Sequence, residues 1–267
     1  MATSDAIVQI GHVTLVVHDI DRVGAFYEDV IGLERISRDA SEARYGVGGE
    51  VLVQLQADKT ARKSGREEAG LFHTAFLLPE RADLGAWLNH AAEKGWRLEG
   101  ASDHLVSEAL YLSDPEGNGI EIYRDRGRED WPRKGDQILM ATERLDLRDV
   151  MAEARAPWRG APSGTVIGHV HLQVGALDPA EPFYRDTLGS NVMARYPGAN
   201  FHGWSGYHHH LATNVWNSRG AKERHQPATG LAEVGLRAEP EALAQFSERF
   251  GDSVTDPWGT RFTVAAK

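Results

Sequence analysis

Ile10-Gly-His-Val-Thr-Leu-Val-Val17 and Ile167-Gly-His-Val-His-Leu-Gln-Val174 are two versions of one segment. Each is an apolar run rich in β-branched residues, which reads as a buried strand. The residues that follow also return. Phe26-Tyr-Glu-Asp-Val-Ile-Gly32 recurs as Phe183-Tyr-Arg-Asp-Thr-Leu-Gly189, and both matches share one offset of 157 residues. Self-similarity at a fixed spacing marks a duplicated unit.

The unit can be read outward from its first strand. Asp19-Ile-Asp-Arg supplies an N-cap and early acidic residues for a helix through Phe26-Tyr27 to about Val30, and Gly32 ends it. Strands are expected over 33–37, 43–47 and 51–56, the last two joined by a Gly48-Gly49 hairpin. A charged, unpatterned loop covers 59–69. The pattern then restarts with a strand from Gly70 to Leu78 and an amphipathic helix from Ala82 to Lys94. Strands at Arg97 to Gly100, Ala109 to Leu112 and Gly119 to Tyr123 complete this second unit.

The first half therefore holds two βαβββ units, and the second half repeats them in shortened form. From Glu233 to Thr263 is 30 residues, against 48 from His73 to Glu121. The expected organisation is an N-terminal domain over 1–126 carrying the metal site, a linker over 127–163 with a short helix near Leu147 to Ala154, and an abbreviated C-terminal domain over 164–267. The fold class is α+β. By analogy with other paired βαβββ units, mixed sheets curl around a cleft in two tandem domains with helices outside.

Composition narrows the chemistry. Hydrophobic residues make up 41% and charged residues 25% of 267 residues, an ordinary globular balance. The net charge of -10 argues against nucleic acid or an anionic membrane as partner. No apolar run approaches the ~20 residues that span a bilayer, and Met1-Ala-Thr-Ser-Asp lacks the features of a signal peptide. A cytoplasmic protein is expected, and self-association stays open. With no cysteine, any metal must be held by His, carboxylate, amide or water.

Three polar residues on apolar strands stand out. His12 shares a strand face with Ile10 and Thr14, His73 with Leu71 and Ala75, and Glu121 with Gly119 and Tyr123. Each alone is more often a hydrogen-bonded buried group than a ligand. Together, at matching places in repeated units, two imidazoles and a carboxylate form the facial triad of non-haem Fe(II). The hairpin from His104 to Glu121, turning at Asp114-Pro-Glu-Gly117, adds an imidazole and the phenol of Tyr111. In His208-His209-His210, strand alternation puts His208 and His210 on one face. Hydrogen-bonded or pocket-lining roles suit them better than a second metal, because no carboxylate accompanies them. His171 shares a face with His169 and could join any remnant site there.

The βαβββ repeats with Gly-His on the first strand resemble the vicinal oxygen chelate superfamily. More narrowly, His104, five residues, Leu110-Tyr111, two residues, Asp114-Pro115, one residue, Gly117, three residues and Glu121 resemble the signature of type I extradiol dioxygenases. The runs Ser107-Glu-Ala-Leu-Tyr-Leu-Ser-Asp-Pro, Gly117-Asn-Gly-Ile-Glu and Gly206-Tyr-His-His-His210, with Asn214 and Trp216, are similar to the two-domain catechol 2,3-dioxygenases of bacilli. This likeness implies meta cleavage of a catechol-type aromatic diol by O2 to a ring-opened semialdehyde. It also implies Fe(II) as cofactor, with Mn(II) admissible. Carried over residue by residue, it makes His12, His73 and Glu121 the metal ligands. His104 and Tyr111 become the catalytic pair, and His208, His210 and Asn214 become substrate-binding candidates. In the C-terminal half His169 remains, but Glu233 and Thr263 stand where a second histidine and a carboxylate would be. The same scaffold also hosts glyoxalase-like metal-dependent lyases and isomerases, and metal-free ligand-binding or drug-resistance proteins.

Overall fold

A computed structural model describes residues 5–267. In the first half it has β1 (Val8–Val17), α1 (Ile20–Phe26), β2 (Glu34–Arg38), β3 (Glu42–Val47) and β4 (Glu50–Ala57). Next come β5 (Gly70–Leu77), α2 (Arg81–Lys94), β6 (Gly100–Asp103), β7 (Ser107–Ser113) and β8 (Gly119–Asp125). The connecting segment carries β9 (Arg133–Lys134), β10 (Gln137–Ile138), β11 (Glu143–Arg144) and α3 (Leu147–Ala152). The second half has β12 (Val166–Gln173), α4 (Leu177–Pro182), β13 (Asn191–Tyr196), β14 (Ala199–Gly203) and β15 (Leu211–Asn214). It closes with β16 (Gly230–Ala238), α5 (Pro240–Phe250), β17 (Ser253–Thr255) and β18 (Arg261–Ala266).

The expected α+β architecture of curled mixed sheets is present, with one strand shifted. The strand expected over 97–100 is β6, displaced toward the C-terminus because its register is set by antiparallel pairing of Gly100 with Tyr111 and Asp103 with Glu108. The duplicated Phe-Tyr segments behave alike. Each helix widens into one π turn, Tyr27–Ile31 and Phe183–Thr187, and each segment ends on a glycine with positive φ, Gly32 at 79° and Gly189 at 75°. A residue with a Cβ rarely adopts that backbone conformation, which is why both copies close on glycine.

Strand pairing across the chain decides the layout. A seven-stranded sheet runs β17-β18-β16-β1-β4-β3-β2, and a nine-stranded sheet runs β11-β6-β7-β8-β5-β12-β15-β14-β13. Each sheet joins a unit of the first half to a unit of the second through an antiparallel pair of leading strands, β1 with β16 and β5 with β12. The first and last units thus share one sheet, and the two middle units share the other. The outer helices close the core. Trp87 of α2 is fully buried and its indole N–H donates to the Val30 carbonyl at 2.8 Å. The connecting segment packs down through Trp131, and β11 pairs with β6, which brings Met140, Ala141 and Thr142 over the nine-stranded sheet.

Candidate active site

Alternation on three neighbouring strands of the nine-stranded sheet gathers the site. β5 contributes His73 and β12 contributes His169 and His171, with His171 directly opposite His73 in the antiparallel register. β8 lies parallel to β5 on its other side and contributes Glu121. His73 Nε2 stands 3.1 Å from Glu121 Oε2 and 3.3 Å from His169 Nε2, and His169 Nε2 stands 3.4 Å from the same carboxylate oxygen. All three residues are buried, at 6%, 2% and 2% exposure. Among the described residues this is the one group whose donor atoms converge closely enough to hold a metal ion.

The expected set of His12, His73 and Glu121 is not brought together. His12 lies in the seven-stranded sheet, opposite Gly235, with its Nε2 3.5 Å from Glu233 Oε1. Glu233 also accepts from Thr263 Oγ1 at 3.0 Å and pairs with Arg261 at 3.4 Å. The equivalent place in this sheet therefore holds the Arg261–Glu233 ion pair, with His12 and Thr263 against the same carboxylate. The cause is topological. β5 pairs with the leading strand of the third unit, so His169 stands where His12 was expected.

The charges suit a cation. Burial lowers the His169 pKa to about 4, against an opposing pull from Glu121, so its imidazole is neutral near pH 7. Burial also pushes His171 well below its ordinary value, aided by the nearby His73 and His169. Burial works against ionised Glu121, but the two imidazoles outweigh it and hold the carboxyl well below its usual range.

His104 and Tyr111 are brought to the same cavity. The Tyr111 hydroxyl lies 2.6 Å from His104 Nε2, and His104 Nδ1 lies 2.6 Å from the Ala141 carbonyl. A carbonyl only accepts, so Nδ1 carries the hydrogen, and in the neutral ring Nε2 accepts from Tyr111. Tyr111 is directly opposite Glu121 in the β7–β8 register. Burial, reinforced by that carboxylate, raises its pKa well above the ordinary phenol value.

The cavity has a volume of about 260 Å³, with Phe72, Phe201, Trp216 and Tyr196 around the three donors and Met140 in the connecting segment as a further wall. No lysine or arginine lines it. Of the substrate-binding candidates, none lines this cavity. His208 is fully buried against Asp125 at 2.7 Å, and His210 is fully buried beneath Trp204. Asn214 is held between the His171 ring at 3.0 Å and the Trp216 backbone. His209 lines the cavity in their place, its ring 4.1 Å from that of His169. Residues 206–210 form an irregular turn, so strand alternation does not apply there.

The chain belongs to the Glyoxalase/Bleomycin resistance protein/Dioxygenase superfamily, whose profile matches residues 9–122. It is 39% identical over 228 residues to the catechol-2,3-dioxygenase of Bacillus subtilis (strain 168), covering 83% of this chain and 80% of that protein. Two solved structures share the fold at lower identity. One is a provisionally assigned dioxygenase of Bacillus subtilis subsp. subtilis str. 168, at a TM-score of 0.65 and 12% identity over 98% of this chain and 85% of that one. The other is glyoxalase I from Zea mays, at 0.57 and 17% identity over 96% and 92%.

Proposed function

We propose that the protein is an Fe(II)-dependent extradiol dioxygenase that opens a catechol-type aromatic diol with O2 to a semialdehyde. The observation that carries this reading is the triangle of His73, His169 and Glu121 donor atoms at the wall of an aromatic-lined cavity. Its edges of 3.1–3.4 Å suit neighbouring ligands of one ion, since donors about 2.1 Å from a metal stand about 3 Å apart when cis. A hydrogen on His73 Nε2 can point to only one of its two close neighbours, whereas a cation satisfies all three donors at once. Two imidazoles and a carboxylate suit Fe(II), and Mn(II) accepts the same donors. The 39% identity to a catechol-2,3-dioxygenase supports the same reaction class.

Iron held by His73, His169 and Glu121 would supply a Lewis-acidic, redox-active centre. The chain's own residues do the rest. Phe72, Phe201 and Trp216 give the cavity aromatic walls that suit a flat ring and exclude water. His209 reaches the cavity with one imidazole nitrogen and takes a hydroxyl proton from the diol. Because the Tyr111 hydrogen is directed at His104, the Tyr111 oxygen accepts a hydrogen bond from substrate. When the substrate hydroxyl passes its proton to Tyr111 as Tyr111 passes its own to His104 Nε2, the polarity reverses, and Tyr111 donates the hydrogen it received to the developing oxyanion. The substrates are a small aromatic diol and O2.

Anaerobic loading with Fe(II), then addition of catechol and air, tests the reading. Stoichiometric O2 uptake with a yellow ring-fission product is expected. Failure across a panel of catechols, or turnover without O2 as a lyase or isomerase would show, refutes it.

A further inference from the structure

Behind His209 lies a buried hydrogen-bonded chain that the mechanism above does not use. Asp125, at the end of β8, places Oδ1 2.7 Å from His208 Nε2, and His208 Nδ1 lies 2.7 Å from His209 Nδ1. On its other side Asp125 accepts from the Tyr207 hydroxyl through Oδ2 at 2.9 Å. Tyr207 in turn lies 2.8 Å from the Tyr123 hydroxyl, which donates to it because Tyr207's own hydrogen goes to the carboxylate. His208 and Tyr207 are fully buried and His209 is 4% exposed, so these rings have few alternative partners.

The polarity of this chain follows from its acidic end. A carboxylate oxygen only accepts, so His208 Nε2 carries a hydrogen. A neutral imidazole has one hydrogen, so His208 Nδ1 is an acceptor. Its contact with His209 Nδ1 is then a hydrogen bond only if His209 donates from Nδ1, which leaves His209 Nε2 as a bare lone pair. We infer that Asp125 and His208 are positioning residues that hold His209 with its hydrogen on Nδ1 and its accepting Nε2 available to the cavity. The inference deepens the proposed function, since it rests on His209 as proton acceptor. The logic is that of a carboxylate orienting a catalytic imidazole, extended by one ring.

The test is ¹⁵N NMR of the histidine tautomers in the full-length chain loaded with Zn(II), a diamagnetic ion the same donors accept. The wild-type protein should show a protonated Nδ1 and an unprotonated Nε2 at His209. In Asp125→Leu nothing at this position accepts from His208 Nε2, so the His209 hydrogen should no longer be confined to Nδ1. With Fe(II) and catechol the same variant should lose about 10²–10⁴-fold in kcat, with KM little changed, and Asp125→Glu should recover part of the loss. A wild-type spectrum with the hydrogen on Nε2 of His209 overturns the inference, as does a folded Asp125→Leu protein with an unaltered tautomer. The wild-type spectrum decides even if the variant does not fold. The tautomer is read without turnover, so a failure to cleave catechol counts against the proposed reaction alone.

Discussion

His73 Nε2 and His169 Nε2 stand 3.3 Å apart, although 96 residues separate them in the chain. The contact exists because β5 and β12 pair antiparallel, so the cluster of His73, His169 and Glu121 belongs to both halves of the molecule. His169→Ala and Glu121→Ala should each lose iron after reconstitution and dialysis, measured by elemental analysis. His12→Ala should keep close to the wild-type content, because His12 pairs with Glu233 in the other sheet. Iron loss in His12→Ala together with retention in His169→Ala would reverse the assignment.

Tyr111→Phe removes the hydroxyl that joins His104 to the cavity while keeping the ring. A single oriented donor to a developing oxyanion is worth about 10²–10³ in kcat. Steady-state kinetics should show a fall of that order with KM changed little. A rise in KM with kcat unchanged would make Tyr111 a binding residue only.

Trp216 flanks the cavity, with ring centroids 5.4 Å from Phe72 and 5.3 Å from His171, and its indole N–H anchors on the Pro197 carbonyl at 2.9 Å. Removing this aromatic wall forfeits about 1.5 kcal/mol or more of ring burial. Trp216→Ala should therefore raise KM for catechol about tenfold with a smaller change in kcat. An unchanged KM would place the diol elsewhere.

His202 offers a stability test away from the ligands. It is fully buried, both ring nitrogens lack hydrogen-bond partners among the described residues, and burial lowers its pKa to about 4. The unfolded chain titrates near its ordinary value of about 6.5. The folded state is therefore the weaker proton binder, so this stability is complete above about pH 6.5 and is lost as pH falls toward 4. Between pH 7 and 5 the loss is about 2 kcal/mol. His202→Phe, which keeps a ring on Tyr184, should flatten the fall in Tm over that interval. A variant with the wild-type slope would show that other groups govern acid stability.

The repeat, the α+β units and the pair of His73 with Glu121 were legible because each depends on nearby sequence. The third member of the cluster was not. Ile10-Gly-His-Val and Ile167-Gly-His-Val are locally identical, and only long-range pairing decides which histidine meets β5. A signal was present in Glu233 and Thr263, which now prove to lie beside His12 and leave that sheet without a second imidazole or a carboxylate from its last strand. His209 escaped notice because alternation was applied to a segment that is a turn. His104 and Tyr111 were found together because seven residues and one hairpin join them.

One metal ion is expected to bind between the two middle units of the chain. Anomalous scattering from a crystal of the Fe(II)- or Mn(II)-loaded protein tests it most directly. One strong peak per chain is expected within about 2.0–2.3 Å of His73 Nε2, His169 Nε2 and Glu121 Oε2. A peak at His12 and Glu233, or none at the three-residue cluster in metal-loaded protein, would contradict it.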